Sequence, residues 1–168
     1  MAHLVLTVVG DDRVGLVGAL AQKVAEAGAN WEQSELAELA GAFAGIVLVT
    51  VPDDRVDELA AAVGSLEGLT VAVHSGAPSA PDEDARTLEF TVLGNDRPGI
   101  VRDVTGAISA HALSIDAFRS RTIDAPMAGG ILFEATVSVS VPHGADAAEI
   151  THALEALAGE IQVDLTVA

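Results

Sequence analysis

Two short segments carry the side chains best suited to chemistry, and they are versions of one another. Gly10-Asp11-Asp12-Arg13-Val14-Gly15-Leu16-Val17 returns 84 positions later as Gly94-Asn95-Asp96-Arg97-Pro98-Gly99-Ile100-Val101. Each joins an alternating apolar run (Leu4, Leu6, Val8; Leu88, Phe90, Val92) to a stretch of helical period, so each reads as a strand-to-helix turn. Gly10 and Gly94 let the chain leave the strand. Asp12 and Asp96 stand where a helix N-cap accepts backbone N–H bonds, and Pro98 suits a first helical turn. Gly15 and Gly99 lack a β-carbon, so a ligand or another chain can approach the helix start closely. The N–H groups there attract an anion such as a carboxylate. Asp11 and Asn95 just ahead offer acceptors to an ammonium group. A zwitterionic amino acid would satisfy both ends. A glycine turn with a capping side chain also forms without any ligand, and the residues alone leave both readings open.

Other candidates are weaker. The five histidines (His3, His74, His111, His143, His152) show no i, i+3 or i, i+4 spacing among themselves, and no metal site is expected. Arg119 and Arg121 are two apart on an expected strand, hence on one face. They suit either a ligand carboxylate or an edge-strand charge pair, and the second use is the commoner. Trp31, the single tryptophan, reads as core or interface packing. No nucleophile–base set, P-loop, zinc motif or G-x-S-x-G is present, so no catalytic residue and no cofactor are assigned.

The elements that must position these turns follow from the same period analysis. Residues 3–9 alternate as a strand, and Leu16, Val17, Leu20, Val24 and Ala27 fall on one helical face ended by Gly28. A polar strand over Asn30–Leu39 follows, then a turn over Gly41–Gly45, an apolar strand over Ile46–Val51, a helix after Asp53-Asp54 and a last strand over Leu69–His74. Residues 77–86 have linker composition. The order then restarts, with a helix over Pro98–Ala112, strands over Ser114–Asp124 and Gly130–Val141, a helix over Ala145–Ala158 and a strand over Glu160–Val167. The spacing between the copies grows to 90 at Pro52/Pro142, which places the extra residues around Asp124–Gly129. An internal repeat with βαββαβ order means a duplicated small domain. The expectation is an α+β chain of two ferredoxin-like domains, residues 1–76 and 87–168, each an antiparallel sheet with two helices on one face. The strand over Ile46–Val51 is apolar on both faces, so the helix-free face of the first sheet is expected to be covered. Its counterpart over Ile131–Val141 alternates with Glu134, Thr136, Ser138 and Ser140 and looks wetter.

Charge narrows the partners. The chain of 168 residues has a formal net charge of −17, with 25 acidic residues against 8 basic, and neither half is basic. Nucleic acids and anionic membranes repel such a surface, because binding them requires cationic side chains that displace counterions. Half of the residues are hydrophobic, enough for packed cores, yet no apolar run reaches a membrane-spanning length. The start lacks a signal-peptide pattern, and cysteine is absent, which excludes disulfides and thiolate sites. A cytoplasmic protein is expected.

The repeated Gly-Asn-Asp-Arg-Pro-Gly-Ile-Val stretch, within βαββαβ order, resembles the ACT domain, a small-molecule regulatory module. Asn30-Trp31 and Ser114-Ile115, at the start of each second strand, are similar to that family too. The resemblance covers residues 3–75 and 87–167. Two such domains without a catalytic or DNA-binding segment look like the glycine cleavage system regulatory proteins. What the resemblance implies is amino-acid binding beside the glycine turn, at an interface between ACT domains. Carried over, the ligand-binding candidates are Asp11, Asp12, Gly15 and Leu16 in the first copy and Asn95, Asp96, Pro98, Gly99 and Ile100 in the second. Val14 departs from the family's proline, which favours the second site. The implied role is regulation through a protein partner, with a homodimer as one assembly. The alternatives are a ligand-free interaction module and, further off, an enzyme.

Overall fold

The computed structural model describes residues 1–76, 86–125, 129–141, 146–156 and 161–167. The chain divides into two compact units, Met1–Ala80 and Pro81–Ala168. The expected linker lies almost wholly outside the described residues.

In the first unit, β1 (Ala2–Asp11) leads into α1 (Leu16–Glu26), β2 (Asn30–Leu39) and β3 (Ala42–Val51). A single 3-10 turn (Asp53–Arg55) opens α2 (Val56–Gly64), and β4 (Leu69–Ser75) closes the unit. The sheet order is β2-β3-β1-β4, and every neighbouring pair is antiparallel. Alternation decides which face carries the helices. Leu4, Leu6 and Val8 from β1 and Val47, Val49 and Val51 from β3 are buried against Leu16, Leu20 and Val24 of α1 and Leu59 and Val63 of α2. The four-residue steps in α1 keep those side chains on one stripe. Trp31 joins this core half-buried.

The second unit repeats the plan. It comprises β5 (Arg86–Asn95), α3 (Ile100–Ala110), β6 (Ser114–Asp124), β7 (Ile131–Val141), α4 (Ala147–Glu155) and β8 (Ile161–Val167). The order is β6-β7-β5-β8, again antiparallel. Leu88, Phe90 and Val92 bury against Ile100, Val104, Ile108 and Ile150. This is the ferredoxin-like arrangement expected, twice.

Local boundaries differ from expectation in informative places. The turn expected over Gly41–Gly45 is only Ala40-Gly41, with φ of 51° and 84°. Two positive φ values in a two-residue connection match the right-handed twist of a hairpin. Gly45 instead lies inside β3, opposite Leu36, where a β-carbon would run into the Glu35 carbonyl. Glycine there marks close strand approach, not a bend. Both β2 and β6 carry a register shift near their starts, between Trp31 and Gln33 and between Ile115 and Ala117. The longer second hairpin includes residues 126–128, and Pro142, His143, Ala145, Ala158 and Glu160 also fall outside the described residues.

The contrast between the two helix-free faces is present. On the first sheet that face holds Val5, Thr7 and Val9 of β1 beside Leu48, Ile46 and Ala44 of β3. Val9 and Ile46 stay about half exposed, at 51% and 50%. On the second sheet the equivalent face holds Glu89, Thr91 and Leu93 of β5 beside Ser138, Thr136 and Glu134 of β7, so Leu93 is the apolar residue among these polar ones.

Candidate functional site

Each glycine turn sits at the end of the central strand, between the helix start and the tip of the neighbouring hairpin. The Asp12 N–H donates to the Gly41 carbonyl at 2.9 Å, and the Asp96 N–H to the Ile131 carbonyl at 2.9 Å. These bonds tie the turn to the β2–β3 hairpin in one unit and the β6–β7 hairpin in the other.

The capping role expected of Asp12 and Asp96 belongs to the glycines. Gly15 and Gly99 are the N-cap residues of α1 and α3, both left-handed (φ 93° and 87°), with no side-chain cap bond. The Gly15 carbonyl accepts from Ala19 N–H at 2.9 Å, and the Gly99 carbonyl from Asp103 N–H at 3.0 Å. Pro98 therefore precedes the cap, and α3 begins two residues later than its period suggested. An aspartate at position 12 or 96 is too far upstream to reach the first helical N–H groups, because the left-handed glycine redirects the chain between them.

Most candidate residues are accessible. Asp11, Asp12, Gly15, Asn95, Asp96, Pro98 and Gly99 are exposed. Leu16 and Ile100 are not: at 8% and 4% exposure they open their helices from within the core. Only their backbone can face a ligand, and the Ile100 N–H already donates to the Arg97 carbonyl at 3.3 Å.

The arginine in each turn is a feature the motif comparison passed over. A β-carbon on Gly10 would meet the Gly68 carbonyl, so β1 and the start of β4 close together only because position 10 is glycine. Gly68 (φ 83°) in turn lies under the Arg13 guanidinium, which donates to the Glu67 carbonyl at 3.2 Å. In the second unit Arg97 instead donates to Asp103 Oδ2 at 2.7 Å, and Arg102 donates to Asp103 Oδ1 at 2.8 Å. The Arg97 bond, then the Arg102 bond, hold the Asp103 carboxyl below the ordinary aspartate range. Helical spacing of Asp103 from the Gly99 cap was the available sequence signal.

The remaining candidates sit elsewhere. Trp31 pairs with Val49, whereas the turn's Gly10 pairs with Phe43, so the indole lies toward the other end of the sheet. Arg119 and Arg121 do share a face of edge strand β6, beside an open cavity of about 210 Å³ with Glu134 and Thr136. Arg121 Nε donates to Glu134 at 2.7 Å. His111 and His152 line a second open cavity with Asp146 and Glu149, but among the described residues no three such side chains are placed to hold a metal.

Comparison with known proteins agrees with this fold. ACT-domain models match residues 2–73 and again residues 87–159. The glycine cleavage system transcriptional repressor of Escherichia coli (strain K12) is 28% identical over 163 residues, covering 95% of this chain and 85% of that protein. A crystal structure of an unknown protein from Galdieria sulphuraria is 31% identical, with a TM-score of 0.86 over 99% of this chain and 98% of that one.

Proposed function

The chain belongs to the ACT-domain family, and from that premise we propose that it is a regulatory protein that senses an amino acid and acts through a protein partner. The observation that carries this reading is the paired glycine turn. Both units expose a left-handed glycine at a helix start, flanked by polar side chains (Asp11, Asp12; Asn95, Asp96) that can receive an ammonium group. The ligand carboxylate would meet the helix start and its arginine, where the backbone dipole favours negative charge. On this reading the working units are domains 1–76 and 87–168 joined by 77–86, and the chain is not an enzyme.

Mechanistically, a ligand that touches two domains shifts their packing only by its difference in affinity for the two arrangements. The relative named as a glycine cleavage system repressor supports a place in control of glycine metabolism. A net charge of −17 supports a protein partner over direct DNA contact, and a cytoplasmic location fits both. Among the described residues no helix is long and apolar enough to cross a membrane.

One observation favours a second reading, an interaction module that dimerises without ligand. The helix-free face of the first sheet presents Val5, Val9, Ile46 and Leu48, and such a face is a docking surface in many assemblies. Thermal melts with each free amino acid separate the two. A rise in Tm with a subset supports the sensor, and a flat response across all of them, glycine and serine included, leaves only the interaction module.

A further inference from the structure

Resting on the amino-acid reading above, we infer that the first turn takes the ligand and that the second turn is filled by its own side chains. The two turns differ at positions that no motif marks. Asp103 already places a carboxylate on Arg97, at 2.7 Å, and gathers Arg102 at 2.8 Å. Arg102 Nη2 lies 3.2 Å from the point where a Gly99 β-carbon would stand, so the guanidinium roofs the left-handed glycine. The counterparts of Arg102 and Asp103 in the first unit are Gly18 and Ala19. There, among the described residues, nothing comes within 4 Å of the equivalent point at Gly15, or of that at Gly18.

Arg13 faces a neutral acceptor instead of an acid. Its one hydrogen bond among the described residues, 3.2 Å to the Glu67 carbonyl, holds the guanidinium over Gly68 and leaves further N–H donors of its fork for a carboxylate. Asp12 and Asp11, one and two residues ahead of it in the chain, are exposed, and they are the acids that would receive the α-ammonium of a ligand whose carboxylate sits on Arg13. In the second turn an incoming carboxylate competes with Asp103, which already neutralises Arg97 and is held next to it at high effective concentration by the helix that the turn opens. Asn95 in place of Asp11 also removes one charge that would attract the ammonium. The proline at position 98 points to the second turn as the site, and the side chains around it reverse that preference.

Isothermal titration of the full chain with each free amino acid tests the inference. The unmodified chain should take one equivalent. Gly18→Arg combined with Ala19→Asp, which rebuilds the second unit's arrangement on α1, should abolish binding. Arg102→Gly combined with Asp103→Ala should raise the stoichiometry to two. Arg13→Gln, which leaves α1 untouched, should weaken binding about tenfold or more. Circular dichroism melts check that each variant is folded. Two equivalents on the unmodified chain, or binding that survives both Arg13→Gln and the α1 double substitution, would overturn the inference. Heat with no amino acid, for either the unmodified chain or the Arg102/Asp103 variant, would remove the amino-acid reading beneath it.

Discussion

Gly10 and Gly15 are glycines for different reasons, and substitution separates them. Gly15 holds φ of 93° with open space around it, so Gly15→Ala meets only the left-handed penalty. A loss of about 1–2 kcal/mol is expected from urea denaturation. Gly10→Ala puts a methyl into the Gly68 carbonyl, and overpacking against backbone should cost about 3 kcal/mol. Equal losses would refute the assigned geometry. Asp103 supplies a pH test. Its carboxyl is held low by Arg97 and Arg102, so the pair stabilises the fold above the ordinary aspartate range. That contribution is lost as pH falls through the lowered value. The Tm gap between the unmodified chain and Asp103→Asn should therefore narrow from neutral pH toward pH about 3. The sequence revealed the turns through the repeated glycines. It did not reveal who caps the helices, because residue types alone do not show that Gly15 and Gly99 take the cap position in a left-handed conformation, downstream of the aspartates.

At the scale of elements, the sequence pattern located the eight strands and four helices of the described residues. It did so most sharply where an element buries one stripe of regular spacing, as β1 and β7 do, whereas β2 and β6 bury no residue fully. Leu20 shows how much rests on one such position. It is 1% exposed within the first core, and Leu20→Ala should cost about 2–5 kcal/mol, read as a shift in the urea midpoint. The β2–β3 hairpin was the element read least well. Ala42, Ala44 and Gly45 look like turn residues by composition, yet they lie in β3, where the missing side chain of Gly45 admits close approach of β2. The true turn puts Ala40 at φ 51°, a conformation that alanine disfavours. Ala40→Gly should therefore stabilise the protein, by about 0.5–1 kcal/mol in the same denaturation assay. Destabilisation would show that the Ala40 methyl makes a contact worth more than the backbone relief.

For the whole molecule, the duplication was the clearest signal in the sequence, since the same eight-residue turn recurs with its flanking strands. What duplication hides is divergence: Gly18 against Arg102 and Ala19 against Asp103 are unremarkable substitutions until the fold sets the Arg102 guanidinium against Gly99 and leaves the space at Gly15 open among the described residues. Charge acts at this scale too. A repressor that grips DNA neutralises phosphates with clustered Lys and Arg, and its affinity falls steeply with salt. Here 8 basic residues face 25 acidic ones, and Arg55, Arg97, Arg102 and Arg121 are already paired with carboxylates. On the proposed reading, any repression in which this chain takes part runs through a protein partner that carries the DNA contact. Gel-shift titration of the purified chain against duplex DNA should show no retardation even at low ionic strength, where electrostatic attraction is strongest. A salt-sensitive shift would mean that a local basic surface overrides the net repulsion, and the partner-mediated route would lose its physical basis.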